Sequence, residues 1–276
     1  MDRCSLDQGR RGVGRSATLP RPGDASLGPY LNHQTSRKTK MTATQNVDQE
    51  EISKFDALAH RWWDPNGDFK PLHDINPVRL NYIRDIGALT QGPAIDVGCG
   101  GGILAESMAR LGVPTTGIDM AEKALGVAKL HALEAGIELN YQQSTAEEMA
   151  VRHPGEFRTV TCLEMLEHVT HYPATVQACA DLAVPGGDLF FSTINRNPKA
   201  YLLLILGAEY VLNILPRGTH EYSKFIKPSE LSAAIREAGL DLVEIRGMRY
   251  NPLTRQAALV ENTDTNYLIH ARKPTI

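Results

Sequence analysis

The sequence predicts an α/β fold with a mostly parallel sheet and an antiparallel hairpin strand at its C-terminal end. Segments typical of strands and helices alternate between about residues 93 and 238, a pattern that indicates a parallel sheet with helices on both faces. Two late segments, 240–250 and 266–272, are typical of strands and have no helix between them, which predicts an antiparallel pair at one edge. A glycine-rich turn after the first strand predicts a ligand site at the carboxyl end of the sheet.

Hydrophobic periodicity and the positions of proline and glycine predict the individual elements. Apolar residues at helical spacing predict an amphipathic helix over 47–63, and Pro77 is placed in the first turn of a second helix that ends at residue 86. The elements that follow are strand 93–97, helix 103–111, strand 114–118, helix 121–135, strands 138–142 and 159–163, helix 172–183, strand 188–194 and helix 228–238.

The composition is that of an ordinary globular protein. Of 276 residues, 42% are hydrophobic and 22% are charged, which suffices for a sizeable core. The net charge of −3 lacks the basic excess of nucleic-acid-binding proteins, so no nucleic-acid partner is expected. The four cysteines follow no metal-ligand spacing and are expected to be structural thiols in a reducing, cytoplasmic setting.

The chain is predicted to consist of a leader and one domain. Residues 1–40 are rich in Arg, Gly, Ser and Pro, lack hydrophobic periodicity and are expected to be disordered. The domain is expected over 41–276, and Met41 is a candidate start codon. A mitochondrial transit peptide is the alternative for the leader, although its acidic residues and scattered Gly and Pro interrupt the amphipathic helix that such a peptide needs.

The glycine-rich turn runs from Asp96 to Gly102, between the first strand and its helix. Gly98, Gly100 and Gly102 allow a tight turn with positive φ and let a ligand approach the backbone. Asp119 ends the next strand, 21 residues after Gly98. That spacing suits a carboxylate that accepts hydrogen bonds from both hydroxyls of an adenosine ribose.

Nicotinamide sites and S-adenosylmethionine sites share such a turn, and two details favour S-adenosylmethionine. The turn reads G-x-G-x-G and lacks the G-x-G-x-x-G spacing that prepares a helix N-terminus for a pyrophosphate. The charge of Asp96 would repel a pyrophosphate but helps to hold the ammonium group of a methionine moiety. We therefore expect a Rossmann-like, class I S-adenosylmethionine-dependent methyltransferase fold, with a nicotinamide oxidoreductase as the alternative.

Candidate chemistry lies where the fourth strand ends. The run LEMLEH, residues 163–168, places two carboxylates and an imidazole at the edge of the sheet that faces the ligand. If the chain is helical there, Glu164, Glu167 and His168 share one side of the helix. This set suits Mg²⁺, and equally Mn²⁺, Fe²⁺ or Zn²⁺. The alternatives are a metal-free site, in which His168 is a general base oriented by Glu164 or Glu167, and a solvated helix start.

An apolar segment, residues 201–215, lies within a predicted insert over about 197–218. Its length and its internal polar residues exclude a membrane span. The segment is expected to pack on the core or cap an apolar pocket, or else to lie in a membrane interface with Lys199 and Arg217 near anionic headgroups. Either placement indicates a lipophilic substrate, for which His220 is a possible contact.

Further short motifs lie between about residues 46 and 272, and among them the tryptophan pair and the lysine-leucine-histidine motif are far more specific than the glycine turn. They are Lys54-Phe55, RWWD at 61–64, FKPLH at 69–73, Asn76-Pro77, DVGCGGG at 96–102, ILAESMA at 103–109, AKLHA at 128–132, EMLEH at 164–168, FST at 191–193, GTH at 218–220, KFIKP at 224–228 and YNP at 250–252. In these motifs, over about four-fifths of its length, the chain resembles the bacterial ubiquinone-biosynthesis O-methyltransferases.

The resemblance implies methyl transfer from S-adenosylmethionine to a ring hydroxyl of polyprenyl-hydroxyphenol and demethylubiquinol intermediates, at both O-methylation steps of that pathway. It implies a lipophilic phenol or quinol substrate, peripheral contact with the inner membrane from the cytoplasmic side through segment 201–215, and contacts with other ubiquinone-biosynthesis proteins. A mitochondrial matrix location is the alternative. A non-catalytic adaptor with the same fold is the rival to the enzyme.

The resemblance also assigns site residues. The cofactor contacts that it implies are Arg79, Gly98, Asp119 and Leu163, where Arg79 alone would otherwise be interpreted as a solvated surface residue or as a partner of the cofactor carboxylate. The magnesium ligands that it implies are Glu164, Glu167 and His168. The expected mechanism is attack of a metal-stabilised phenolate on the sulfonium methyl, with His168 as the catalytic base if no metal takes part.

Overall fold

The computed structural model describes residues 46–201 and 222–275 of the chain. The expectations for the leader, for Met41, for residues 202–215 of the apolar segment and for His220 concern residues outside these ranges. No helix within the described ranges is long and apolar enough to cross a membrane.

Helices and strands alternate through the described residues as the sequence predicts. In chain order they are α1 (Gln49–Leu58), α2 (Lys70–Asp85), β1 (Ala94–Val97), α3 (Ile103–Arg110), β2 (Thr115–Asp119), α4 (Glu122–Glu134), β3 (Asn140–Gln143), α5 (Ala146–Arg152), β4 (Phe157–Leu163), α6 (Tyr172–Leu182), β5 (Ala183–Ile194), α7 (Pro198–Ala200), α8 (Pro228–Glu237), β6 (Asp241–Asn251), β7 (Gln256–Val260) and β8 (Asn266–Arg272).

The strands form one sheet in the order β3-β2-β1-β4-β5-β8-β6-β7. All pairs among β1–β5 are parallel, whereas β8 runs antiparallel to both of its neighbours, β5 and β6. The mostly parallel α/β sheet with antiparallel C-terminal strands is therefore confirmed. The predicted antiparallel pair of 240–250 and 266–272 is confirmed as β6 and β8, but its expected place at the edge was wrong. Strand β8 lies inside the sheet, and the edge strand is β7, which pairs with β6 and was not predicted.

Helices α2 and α5 differ most from the sequence prediction. Helix α2 begins at Lys70, because Pro71 occupies the first turn, where its missing N–H costs nothing, and Pro77 lies inside the helix. Helix α5 was not predicted, although its start carries a capping box in which the Thr145 side chain accepts from the Glu148 N–H and Glu148 reaches back.

The core lies on both faces of the central strands. Along β5 the side chains alternate, so Phe190 packs on the face covered by α2 and α3 and Phe191 packs on the face covered by α5, α6 and α8. Both phenylalanines are completely buried. The thiols of Cys99, Cys162 and Cys179 are buried and free, as expected of structural cysteines.

A buried carboxylate joins β8 to β5. Asp188 on β5 accepts hydrogen bonds from His270 Nε2 and Arg272 Nε on β8, each at 2.9 Å. Burial alone would raise the pKa of Asp188, but these two hydrogen bonds and the charge of Arg272 lower it overall. The ionised carboxylate thus stabilises the register that places β8 inside the sheet.

We expect Asp188→Asn to lower the free energy of unfolding at neutral pH by about 2 kcal/mol, because two donors lose a charged acceptor. Since the folded pKa of Asp188 lies below its unfolded value, the ionised carboxylate contributes its stability above the unfolded pKa. The difference from the unsubstituted protein should therefore persist at pH ~6 and shrink as the pH falls below ~4. Urea denaturation across this range measures it. The exposed Asp241→Asn is the control, and an equal loss in both variants would contradict the interpretation.

Candidate active site

A pocket opens at the carboxyl ends of β1, β2 and β4, where ligands bind in open α/β sheets. The N-terminal segment with α1 covers one side of it. The sequence-predicted site residues that line this pocket are Arg79, Gly98, Asp119, Leu163, Glu164 and His168. Glu167, the remaining one, is buried next to them. The structure therefore brings the predicted residues together, and their individual roles stay predictions.

The glycine turn is packed against Trp62. Gly98, Gly100 and Gly102 have φ values of 72°, 52° and 87°, in the left-handed region that favours glycine. A Cβ added at Gly100 or Gly101 would overlap the Trp62 ring. Glycine is thus required here both for the backbone conformation and for the close approach of an indole.

Trp63, the second member of the tryptophan pair, holds the same turn by its polar atom. Its Nε1–H donates to the Gly101 carbonyl at 2.9 Å, and its ring stacks on His131 with the centroids 3.4 Å apart. His131 Nδ1 lies 2.6 Å from Glu106 Oε2 on α3. The tryptophan pair therefore fixes the glycine turn. Sequence reasoning had used the pair only as a family motif.

Asp119 is held at the end of β2 by backbone N–H groups. Its Oδ2 accepts from Gly100 N and its Oδ1 accepts from Ala121 N, both at 2.8 Å. Burial raises the pKa of Asp119, although these hydrogen bonds lower it. Each carboxylate oxygen has a second lone pair, so the geometry allows Asp119 to accept from two ribose hydroxyls.

Asp96 is the second carboxylate in the pocket wall, and it is buried. Burial raises its pKa to about 7, against the opposing hydrogen bond from Thr161 Oγ1 at 2.6 Å, and the nearby charge of Asp119 raises it further. A cationic ligand beside Asp96 and Asp119 would favour their ionised forms. The electrostatics of this part of the pocket thus suit a ligand that carries an ammonium or sulfonium group.

Arg79 projects from α2 into the same pocket and pairs with Glu164. Its Nη2 donates to Glu164 Oε1. Its buried Nε has no hydrogen-bond partner among the described residues. An unsatisfied guanidinium N–H in a ligand pocket suits a carboxylate, which arginine binds with two parallel hydrogen bonds. The solvated surface interpretation of Arg79 is therefore wrong, because the side chain is buried.

Glu164 is held by three donors in an unusual backbone conformation. Its φ of 54° is rare for a residue other than glycine. Besides Arg79, Ser192 Oγ donates to Oε1 at 2.6 Å and Asn266 Nδ2 donates to Oε2 at 2.8 Å. Because only 166–168 form a helical turn, the three candidate ligands do not share one face of a helix.

Glu167 is more deeply buried than Glu164. Glu167 Oε2 accepts from Thr193 Oγ1 at 2.7 Å, whereas its buried Oε1 has no partner among the described residues. Burial, and next the charge of Glu164, raise the pKa of Glu167. Within residues 46–201 and 222–275, no three His, Cys, Asp or Glu side chains are grouped so as to hold a metal ion.

His168 has a carboxylate partner that sequence reasoning missed. Its Nδ1 lies 2.9 Å from Oε2 of Glu51 on α1, so the carboxylate beside this ring nitrogen belongs to neither Glu164 nor Glu167. Burial lowers the pKa of His168, but the Glu51 hydrogen bond and the charge of Glu167 raise it overall. Glu51 precedes His168 by 117 residues, and no local spacing could have linked the two.

Comparison with known proteins shows the family to which the chain is similar. Residues 79–245 match a family model described as a methyltransferase domain. The chain is 58% identical to the ubiquinone biosynthesis O-methyltransferase of Azoarcus sp. (strain BH72), over 83% of this chain and 98% of that protein. It is 60% identical to the ubiquinone biosynthesis O-methyltransferase of Nitrosospira multiformis, over 82% and 95%.

Solved structures show the same fold at low identity. The magnesium protoporphyrin IX methyltransferase of Synechocystis PCC 6803 with bound SAH is 17% identical and gives a TM-score of 0.59, covering 80% of this chain and 94% of that one. A possible histamine N-methyltransferase of Thermotoga maritima gives 0.57 at 18% identity, covering 81% and 98%. The expected class I methyltransferase fold and dependence on S-adenosylmethionine are confirmed.

We expect Gly100→Ala to weaken binding of S-adenosylhomocysteine by at least about tenfold, because the new Cβ needs a strained φ and displaces Trp62 from the turn. Isothermal titration calorimetry measures the affinity. Gly126→Ala is the matched control, since Gly126 lies in α4 with open space around it and should gain about 0.5–1 kcal/mol of stability. Unchanged affinity in Gly100→Ala would contradict the proposed cofactor position.

Proposed function

We propose that this chain, which belongs to the family of ubiquinone biosynthesis O-methyltransferases, transfers the methyl group of S-adenosylmethionine to a ring hydroxyl of ubiquinone precursors. The observation that carries the proposal is the pocket in which the glycine turn, held by the tryptophan pair, meets the carboxylates of Asp96 and Asp119 and the buried Arg79. Such a pocket suits a ligand that has both cationic groups and a carboxylate. S-adenosylmethionine has both.

The cofactor is assigned to this pocket by charge. Arg79, with its unsatisfied Nε–H, would bind the methionine carboxylate. Asp96 would face the ammonium group and Asp119 the ribose hydroxyls, while Gly98 and Leu163 would form the walls on either side. Pairing with the cofactor would take Arg79 away from Glu164 and leave that carboxylate to other partners.

The substrate is proposed to be a phenol or quinol with a polyprenyl tail, at both O-methylation steps. The support is the family, together with the apolar segment 201–215, which would lie against the tail or the membrane interface. We further propose peripheral association with the cytoplasmic side of the inner membrane, where such a substrate resides, and contacts with other proteins of the pathway.

A divalent cation, Mg²⁺ in the first place, is proposed at Glu164, Glu167 and His168. The donor set suits it, and the buried Oε1 of Glu167, which has no partner among the described residues, is an oxygen that a cation would satisfy. Glu164 would have to leave Arg79 to take part. When bound, the ion would supply Lewis-acid stabilisation of the phenolate.

The protein's own residues would orient the reaction and move the proton. A phenol has a pKa of about 10, so at neutral pH the hydroxyl is protonated and weakly nucleophilic. His168 lines the pocket, and where no cation lowers the pKa of the phenol, its ring would accept that proton. The rest of the rate enhancement would come from holding the phenol oxygen in line with the methyl group and from excluding water.

Methyl transfer from radiolabelled S-adenosylmethionine to a panel of catechols tests the proposal. We expect prenylated catechols and demethylubiquinol analogues to be labelled and their unprenylated counterparts to react at least about tenfold more slowly, because the apolar segment contributes binding energy. His168→Asn should reduce the rate by about 100-fold or more. Absence of labelling in every prenylated substrate, with S-adenosylhomocysteine still bound, would reject the substrate class.

Removal of metal tests the cation separately. Treatment with EDTA should lower the rate of methyl transfer at least about tenfold, and added Mg²⁺ should restore it, because the phenolate loses its Lewis acid. Ca²⁺ at the same concentration is the control, because it gives the same ionic strength but has a less strict coordination geometry than Mg²⁺. Full activity in metal-free buffer would contradict the cation and leave His168 as the proton acceptor.

A further inference from the structure

The N-terminal helix brings a carboxylate into the active site. Glu51, on the first turns of α1, lies against His168 with Oε2 at 2.9 Å from Nδ1. Its other oxygen accepts from Lys224 Nζ and Lys54 Nζ, each at 3.0 Å. The Glu51 and His168 side chains are only 8% and 14% exposed, so the contact is shielded from water.

Contact with a carboxylate determines which nitrogen of an imidazole carries the proton. With Glu51 accepting at Nδ1, the neutral ring is the Nδ1–H tautomer and the lone pair is on Nε2. The ring also meets Phe55 edge to face, with the centroids 5.0 Å apart, which limits its rotation. Residues of α1 therefore set both the tautomer and the orientation of the His168 ring.

We infer that Glu51 is a positioning residue for methyl transfer, which holds His168 as the Nδ1–H tautomer with Nε2 as the atom that meets the substrate hydroxyl or its cation. This inference rests on the proposed function for the role of His168. The tautomer itself is a property of the protein without substrate. The carboxylate–histidine pair repeats the arrangement by which enzymes orient a histidine base or a metal-bound histidine.

The position of Glu51 is secured at the start of the same segment. Asn46 is buried, and its side chain donates to Glu147 Oε1 at 2.7 Å and to Thr175 Oγ1 at 2.9 Å, and accepts from the His171 N–H at 2.6 Å. Asp48 then caps α1 by accepting from the Glu50 and Glu51 N–H groups. Asn46 and Asp48 thus anchor the segment, whereas Glu51 orients His168. Substitution of each residue can separate the two roles.

The experiment compares Glu51→Ala, Glu51→Gln and Asn46→Ala in the full chain. Side-chain ¹⁵N–¹H correlation spectra of ¹⁵N-histidine-labelled protein with S-adenosylhomocysteine bound report the tautomer of His168 at a pH where the ring is neutral. The His168 signals are assigned by their absence from His168→Asn. Steady-state kinetics with S-adenosylmethionine and a prenylated catechol are measured on the same samples, and thermal melts report folding.

We expect Glu51→Ala to lose the Nδ1–H signature and to lower kcat by about 10- to 100-fold, with the KM for S-adenosylmethionine changed by less than about threefold. Glu51→Gln, which keeps an acceptor, should retain the signature and recover part of kcat. Asn46→Ala should lower the melting temperature and keep the signature.

An unchanged Nδ1–H signature in Glu51→Ala would overturn the inference, as would a loss of kcat no larger than that of Asn46→Ala. If Glu51→Ala does not fold, Glu51→Gln and Glu51→Asp decide, since a purely structural role predicts no link between their His168 spectra and kcat. If no phenolic substrate is methylated at all, the proposed function fails while the spectra still test the tautomer.

Discussion

The packing of an indole against a backbone that has no side chains is the constraint on which the active site depends. A side chain at Gly100 or Gly101 would overlap the Trp62 ring, and Trp63 Nε1–H donates a hydrogen bond to the Gly101 carbonyl. Since both tryptophans follow α1, this contact also fixes where the N-terminal segment crosses the sheet. Asn46 holds the segment before α1 and the tryptophan pair holds the segment after it, so Glu51 is positioned beside His168 from both ends.

Unbalanced charge characterises the pocket that results. Burial raises the pKa of both Asp96 and Asp119, while Arg79 lies among acidic groups with one N–H unsatisfied. The pocket is therefore complementary to a ligand with both signs of charge. In the protein without ligand, the buried charges carry a desolvation cost. The ion pair between Arg79 and Glu164 offsets part of that cost.

Much of the architecture could be predicted from local patterns. The strand at 266–272 was predicted to the residue, and the glycine turn, Asp119 and the acidic cluster were placed at the correct end of the sheet. What failed depends on tertiary contacts. The insertion of β8 between β5 and β6 is stabilised by Asp188, whose partners on β8 are more than 80 residues away. The Glu51–His168 pair joins two elements that no periodicity relates.

The place of β8 has a consequence for how the protein is made. Because β8 pairs with β5 on one side and β6 on the other, the sheet stays divided until β8, which follows the other described strands along the chain, has been translated. Asn266, at its start, is also a donor to Glu164, so the acidic cluster lacks one of its partners until then. Pairing of β8 therefore completes both the sheet and the site, and a chain interrupted before β8 would expose one unpaired edge of the apolar β5, which favours aggregation.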